Sequence, residues 1–529
     1  MDATYIDDKK DANSLEHIER RVSPARSDVT DGELLGEQRA QAEKKFVRKL
    51  DMRLLPTIIV IFIMNYIDRT AVTAARLKGL EEDLHLTDLQ YNVILAVLYA
   101  SYCPAQIPSN MVRCSASFLS IPLARVNSSR AWYLRPSWYI GICVILWGLT
   151  SALTGVTVNF TGIICCRVFI GLPEAAFYPG AIYLLSRWYT RRELAFRSAL
   201  LYGGLLISNA FGSLMAAGIL GGMEGKRGIR AWRWLFYIEG SITIVVGFAT
   251  IYLLPDYPNN TRWLSPAERR LAQVRLAEDA GEADEDTATD SPWNGFVLAM
   301  KDPKTSIFAL ISCTQLLGLS FVNFFPTLTA TLGFSTTISL LLAAPPWIFA
   351  TIVTCVNAWN AGMTGERFFH ITSWWWGVII ANIIGVTTMS VGGRYVAMFL
   401  MASGYAGFAL TLVWVSNAIP RPPAKRSAAI GIVNGFGNIG NLIGSFTWKA
   451  AWGPDYHPSM YIGIGGLAIA TSLSFIIRCM LIYENKQLDK AEVGAFEGAN
   501  RERIEEAARL EGISVEEAIE RKRGFRYLY

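Results

Sequence analysis

About twelve long apolar segments are the feature that most constrains the fold of this chain. Each is close to the roughly 20 residues that an α-helix needs to cross the hydrocarbon core of a bilayer. We place the segments at 53–72, 89–112, 137–155, 159–183, 196–222, 234–254, 305–328, 337–360, 370–390, 394–418, 426–450 and 459–482. The sequence therefore predicts an all-α integral membrane protein with twelve transmembrane helices in two six-helix halves.

Composition agrees with this prediction and disfavours several other classes of protein. The chain has 529 residues, of which 52% are hydrophobic and 18% charged, which is too apolar for an ordinary soluble protein. The net charge of +5 comes from basic residues that flank the apolar segments, so we expect no nucleic-acid partner. The eight cysteines form no CxxC pair and the four histidines are scattered, so we expect neither a metal site nor a cofactor. No nucleophile–base arrangement is visible, and we expect no enzymatic activity.

Charge around the segments predicts the topology. Basic residues gather before the first segment, which predicts a cytoplasmic N-terminus and an uncleaved first segment. We predict a cytoplasmic tail over 1–52, an N-terminal half over 53–254, a cytoplasmic loop over 255–304, a C-terminal half over 305–482 and a cytoplasmic tail over 483–529. The basic residues between the fifth and sixth segments are an exception to this orientation. The stretch SPAERRLAQVRLAED in the loop and the charged C-terminal tail are both typical of solvated helices.

A weak internal repeat supports the two halves. Arg197-Ser198-Ala199 opens the fifth segment and Arg426-Ser427-Ala428 opens the eleventh, while Asn209 and Asn438 follow at the same offset. Parallel six-span repeats with a binding site between them characterise one large transporter architecture. Chance similarity between Gly- and Ser-rich helices is the alternative.

Four charged residues lie inside or at the end of apolar segments, namely Asp68, Arg69, Arg167 and Glu174. An ionisable side chain at the centre of a bilayer costs about 2.5–3.5 kcal/mol even on a lenient scale. We therefore expect these residues to line a polar cavity through which a charged solute passes. The alternatives are that the first two residues reach water at the interface and that the other two join helix ends.

A carrier that moves anions with protons needs these residue types. Arg167 and Glu174 are seven residues apart, which places them on one helix face about 10 Å apart. A cation in the cavity offsets the charge of the substrate, and a protonatable carboxylate couples proton movement to the conformational change. Burial raises the pKa of a carboxylate and a neighbouring arginine lowers it, so a substrate that draws the arginine away provides a route to coupling.

Polar side chains on other segments are candidates to complete the cavity. They are Asn65, Asn209, Gln315, Asn323, Asn434 and Asn438. Each has the alternative role of a hydrogen bond between helices.

Several motifs give the chain a family resemblance over about residues 40–490. They include NYIDRT, RVFIGLPEAAFYPG, TGERFFHI and SNAIPRPPAKRSAAIGIVNGFGNIGN. With these motifs the chain resembles fungal major facilitator transporters of the anion:cation symporter family, in the allantoate-permease-like branch. The resemblance implies the major facilitator fold, alternating access by rocking of the two halves, and a monomer. It also implies proton-coupled uptake of a small organic anion, since relatives carry allantoate, nicotinate, pantothenate or biotin.

The resemblance extends to individual residues. It implies that Arg69 and Arg167 bind the carboxylate and that Asp68 and Glu174 carry the proton linkage. Asn434 matches a polar cavity position of the family. Together with Asn209, Asn323 and Asn438, which are candidates from the sequence alone, it completes the expected substrate site. The expected partners are a small organic anion, protons and the lipid bilayer, at the plasma membrane.

The sequence departs from the family pattern in two places. Residues 112–136 form an atypical insertion in the loop between the second and third segments, and the alternatives are a genuine insertion and a retained intron in the gene. Gly362-Met363 stand where the family usually has Asp-Arg, and this change is expected to weaken an inner gate.

Two other functions remain as alternatives. An exporter of an acidic secondary metabolite would use the same fold and residues. A non-transporting membrane sensor would require a large signalling domain, which the central loop and the tails are too short to form.

Overall fold

The structure, a computed structural model, describes residues 36–114, 136–186, 188–256, 261, 263–281, 292–419, 423–498 and 527–528. Its regular elements within these ranges are helices, with no strand. Nine helices of the described chain are long and apolar enough to cross a bilayer. Helices suit lipid because each satisfies its own backbone hydrogen bonds.

The N-terminal half contains six long helices. They are α1 (Gly36–Arg76), α2 (Asp88–Cys114), α3 (Pro136–Thr154), α4 (Phe160–Ser186), α5 (Arg191–Gly222) and α6 (Ala231–Leu253). Each contains the corresponding apolar segment to within two residues at either end. Most of the expected insertion at 112–136 lies outside the described residues.

The C-terminal half contributes six further helical elements. They are α7 (Pro303–Ala330), α8 (Thr336–Thr364), α9 (Phe368–Thr387), α10 (Val391–Ala418), α11 (Pro423–Gly444) and α12 (His457–Gly498). α11 ends earlier and α12 extends further than the sequence predicts. Gly362-Met363 lie near the end of α8, where the Met363 side chain is exposed.

Two elements of the C-terminal half are interrupted inside the bundle. A 3-10 segment, Ser320–Phe324, breaks α7, and Gly404 breaks α10. The Tyr405 hydroxyl donates to the Leu319 carbonyl at 3.4 Å, and so satisfies a backbone oxygen at the first break. A 3-10 stretch within a helix often marks a hinge, and irregular backbone at membrane depth is tolerated where it lines a cavity.

The closest helix contact in the N-terminal half joins α3 and α6. A Cβ added to Gly240 would lie 2.5 Å from the Ala152 backbone nitrogen and 2.7 Å from the Gly148 carbonyl oxygen. Only glycine permits this approach of two helix backbones.

The loops also contain regular structure. The predicted loop helix is present as Pro266–Gly281, and its capping box is formed between Ser265 and Glu268. The acidic stretch after it lies outside the described residues, apart from its first few. The expectation of a fully solvated C-terminal tail is corrected for two residues: the Asn485 amide donates to the Tyr527 carbonyl at 2.9 Å, and the Trp414 indole donates to the Leu528 carbonyl at 3.0 Å.

Candidate functional site

A central cavity lies between the two halves. Its walls come from α1, α2, α4 and α5 on one side and from α7, α10 and α11 on the other. The space between them, including the part open to solvent, is about 800 Å³. The lining is rich in tyrosine and asparagine and includes Asn65, Tyr66, Arg69, Tyr99, Tyr102, Glu174, Asn209, Asn323, Tyr405, Asn434, Asn438 and Asn441.

A buried ion pair forms the charged wall of the cavity. Arg69 on α1 donates through Nη2 to Oε2 of Glu174 on α4 at 2.7 Å. The second carboxylate oxygen, Oε1, is buried and has no hydrogen-bond partner among the described residues. The two opposite charges of the pair cancel. Glu174 Oε1 and Arg69 Nε have no hydrogen-bond partner among the described residues, so both can bind a solute.

Three tyrosine rings surround the Arg69 guanidinium. Its central carbon lies 5.1 Å from the ring centroid of Tyr66, 5.7 Å from that of Tyr99 and 4.9 Å from that of Tyr102. Aromatic faces attract a cation most strongly where water is excluded. These rings hold Arg69 in the cavity and reduce the cost of burying its charge.

Two of the four predicted charges lie outside the central cavity, which corrects the expectation that all four line it. Asp68 is turned toward α3 and α6, where it accepts from Ser151 and from Thr243, each at 2.7 Å. Arg167 is fully buried behind the pair, and its Nη1 donates to the Arg69 carbonyl at 3.5 Å. Adjacent residues on a helix point about 100° apart, and here Arg69 faces the cavity while Asp68 faces α3 and α6.

All five predicted asparagines, including Asn65, line the cavity. Asn209 and Asn438, which the internal repeat relates, face it from α5 and α11, together with Asn434. Asn323 lies in the 3-10 segment of α7 and accepts from the Tyr99 hydroxyl at 3.3 Å, which joins the two halves. Gln315 is placed elsewhere and accepts from Thr411 inside the C-terminal half.

Sequence reasoning missed a further buried carboxyl group, Glu239 on α6. It is 1% exposed and lines a second, smaller cavity of about 390 Å³ that shares Thr70, Asn209 and Val322 with the central one. The signal was present, because Glu239 lies within the sixth apolar segment.

A further group of charges lies at the end of the bundle where α1 ends. Arg76 pairs with Glu81 at 3.0 Å and with Asp88 at 3.1 Å. The other oxygen of Asp88 accepts from the Ala450 backbone nitrogen of the C-terminal half at 3.1 Å. Burial raises the pKa of the Glu81 carboxyl, and Arg76 opposes this rise.

The arrangement suits binding and proton exchange. It offers a guanidinium, a displaceable carboxylate and amide groups around a cavity. Among the described residues no group of three or more His, Cys, Asp or Glu side chains is placed to hold a metal ion.

Comparisons with known proteins agree with this architecture. Residues 58–445 match the family model described as Major Facilitator Superfamily. The MFS-type transporter cnsO of Penicillium expansum is 32% identical over 85% of this chain and 86% of its own length. The Major facilitator-type transporter hxnP of Emericella nidulans is 27% identical over 85% and 88%.

A solved structure has a similar fold. It is a bacterial homologue of the human lysosomal transporter Spinster in an inward-facing, unoccupied conformation. The TM-score is 0.60 at 15% identity, over 80% of this chain and 96% of that one.

Proposed function

Because the chain belongs to the Major Facilitator Superfamily, we propose that this membrane transporter carries a small organic anion together with protons by alternating access. The observation that carries the proposal is the buried Arg69–Glu174 pair in a cavity walled by both halves. A solute bound there contacts both halves, so its binding energy can favour one arrangement of the halves over another.

The substrate carboxylate binds at Arg69. A guanidinium presents a planar fork of donors that matches a carboxylate. When a substrate engages this fork, it competes with Glu174 for the same positive charge. Breaking a buried pair leaves an uncompensated charge, which is strongly unfavourable.

Protonation of Glu174 removes that penalty. A carboxyl group without its cationic partner in a buried site favours the neutral form. One anion and one proton therefore enter the site together, and neither binds well alone. Arg167 supports this exchange from behind the cavity by fixing α1 through the Arg69 carbonyl, and Asp68 contributes to the proton linkage through α3 and α6.

The remaining walls select the body of the substrate. Asparagine amides of α5, α7 and α11 offer both donors and acceptors, while Tyr405 and Phe408 offer ring faces. This lining favours a compact acid with an aromatic or apolar part and additional polar groups. Such a substrate fits the anion:cation symporter family and its allantoate-permease-like branch, and we assign the chain there.

Topology and location complete the proposal. The basic residues before the first span support an orientation with both termini in the cytoplasm. We place the transporter at the plasma membrane as a monomer that imports its substrate. Export of an acidic metabolite would use the same residues with the proton gradient acting in the opposite direction.

An uptake screen tests the proposal. Cells expressing the chain are supplied with labelled nicotinate, pantothenate, biotin and allantoate at several external pH values. We expect uptake of one of these acids to increase as external pH falls. Glu174→Gln should abolish the response to the proton gradient but retain exchange of labelled for unlabelled acid.

Glu82→Gln is the matched control, because Glu82 is an exposed carboxylate outside the cavity. Uptake that is independent of the proton gradient in the parent chain would contradict the proposed symport. An unchanged pH response in Glu174→Gln would contradict the assigned role of that residue.

A further inference from the structure

Glu239 is a buried carboxyl group that the exchange at Arg69 does not use. It lies in the first half of α6 and lines the second cavity. Its Oε2 atom is buried and has no hydrogen-bond partner among the described residues. An unpartnered carboxylate in such a position is costly and tends to bind a proton.

The groups around Glu239 do not offset a negative charge. Asp68 on α1 is the charged group that acts on it within the described chain, and it has the same sign. Both Asp68 oxygens already accept from hydroxyls, one of them from Thr243, a turn after Glu239 on α6. The other polar groups of the second cavity are neutral and come from α1 and α5, namely Thr70, Thr73, Asn209 and Ser213.

The charges of one cluster within the membrane balance only if one proton is bound. The cluster contains two arginines, Arg69 and Arg167, and three carboxyl groups, Asp68, Glu174 and Glu239, all of them buried except Arg69, whose side chain is 9% exposed. Glu174 is held in an ion pair and Asp68 by two hydroxyl donors. The proton that makes the cluster neutral therefore belongs on Glu239.

The second cavity connects this proton to the movement of the two halves. The part of its wall that comes from the C-terminal half is apolar and includes Phe325, Pro326 and Trp347. Closure of that wall on an ionised carboxylate would remove its solvation without supplying a partner. A protonated Glu239 tolerates closure, whereas an ionised one favours a separated, water-filled interface.

We propose that Glu239 is a second proton-binding residue of the transport cycle, loaded from water through the second cavity when the halves part there. The carboxylate takes a proton from a water-borne hydronium ion and returns it to water later in the cycle, so only O–H bonds form and break. This inference rests on the proposed proton coupling and adds a site on α6 to it.

Infrared spectroscopy of the purified full-length chain in lipid nanodiscs tests the bound proton directly. At neutral pH, the difference between the parent and Glu239→Gln should show loss of the carbonyl band of a protonated carboxylic acid, with the usual shift in D₂O. Glu239→Asp should retain such a band at a shifted frequency. Glu82→Gln, which changes an exposed carboxylate outside both cavities, is the control and should leave that band unchanged. If Glu239→Gln loses only bands of an ionised carboxylate, the proposal is wrong.

Transport distinguishes this inference from the proposed function. With the acid selected by the uptake screen, proton-driven accumulation by Glu239→Gln should fall by about 5- to 150-fold, the usual range of coupling factors. Counterflow exchange should be unchanged. Accumulation equal to that of the parent would overturn the role of Glu239. A parent chain that ignores the proton gradient would instead overturn the symport, while the infrared result would still decide where the proton resides.

Discussion

At the scale of residues, the positive charge of the central cavity comes from Arg69, which makes an ion pair and contacts aromatic rings. Arg69 is paired with Glu174 at 2.7 Å and enclosed by three tyrosine rings. The rings contribute a favourable field that does not compete for hydrogen bonds, so the guanidinium keeps donors for a substrate. In the proposed mechanism, this cation exchanges the Glu174 carboxylate for that of the substrate.

Arg69→Lys tests whether charge alone is sufficient. Lysine keeps the charge but loses the planar fork and the stacking on the rings. We expect initial uptake of the screened acid to fall by about tenfold or more, equivalent to the loss of roughly 1.4 kcal/mol of binding to the transition state. Lys78→Arg is the control, because it exchanges the same two residue types in the other direction at a position outside the cavity. Uptake by Arg69→Lys at the parent rate would contradict the role of the fork.

The sequence identified most cavity residues but not the orientation of each. Arg69, Glu174 and the asparagines could be found because polar residues within apolar segments are few. Asp68 and Arg167 were misplaced because the face that a helix turns to its neighbours depends on packing across the bundle. Glu239 was overlooked because no other charged residue accompanies it in the sixth apolar segment. In the structure, its Oε2 atom has no hydrogen-bond partner among the described residues.

At the scale of elements, the contact of α3 with α6 depends on glycine. Gly240 packs directly on the backbone of Ala152, so a methyl group there has no flexible side chain to displace. Larger residues in a filled contact of this kind usually destabilise by about 1–3 kcal/mol. The apolar segments predicted both helices, but their closest approach could not be derived from either segment alone.

Gly240→Ala and Gly218→Ala form a matched pair. Gly218 lies within α5, and a Cβ there meets nothing within 4 Å. We expect Gly240→Ala to lower the apparent melting temperature of the purified protein in detergent. Gly218→Ala should leave it unchanged or raise it, since alanine is the better helix former. Equal melting temperatures for the two variants would contradict the described packing.

Interrupted helices are the other feature of elements that the sequence did not reveal. The segments at 305–328 and 394–418 are continuous in hydropathy, yet α7 and α10 are broken beside Asn323 and Tyr405. The breaks are stabilised by tertiary contacts such as the Tyr405–Leu319 hydrogen bond, which no local pattern encodes.

At the scale of the whole molecule, the two six-helix halves of the major facilitator fold are confirmed by the family match and by the fold of the Spinster homologue. Twelve apolar segments were sufficient to predict this architecture. Contacts between the halves were not predictable, because each joins residues far apart in the sequence and depends on how the helices pack. Tyr99 with Asn323 and Asp88 with Ala450 are two such contacts.

Tyr99→Phe tests the contact in the cavity. The substitution keeps the ring near Arg69 and removes only the hydroxyl that donates to Asn323. A hydrogen bond of this kind contributes about 0.5–1.5 kcal/mol, so the equilibrium between conformations should shift by up to about tenfold. Single-molecule energy transfer between fluorescent labels on the two halves measures this equilibrium. In Tyr99→Phe, a larger fraction of molecules should have the two halves separated at the central cavity. Tyr395→Phe is the control, because it removes a hydroxyl that donates within the C-terminal half. The same fraction of separated molecules in Tyr99→Phe and in the parent chain would contradict this role.

The contact of α3 with α6 has a mechanical consequence for the whole half. Ser151 and Thr243, the two donors to Asp68, come from these same helices, and Glu239 lies a turn from Thr243. Helices locked at their backbones cannot slide to absorb a local disturbance. In the proposed cycle, we therefore expect gain or loss of one proton to move α3 and α6 as a single rigid unit.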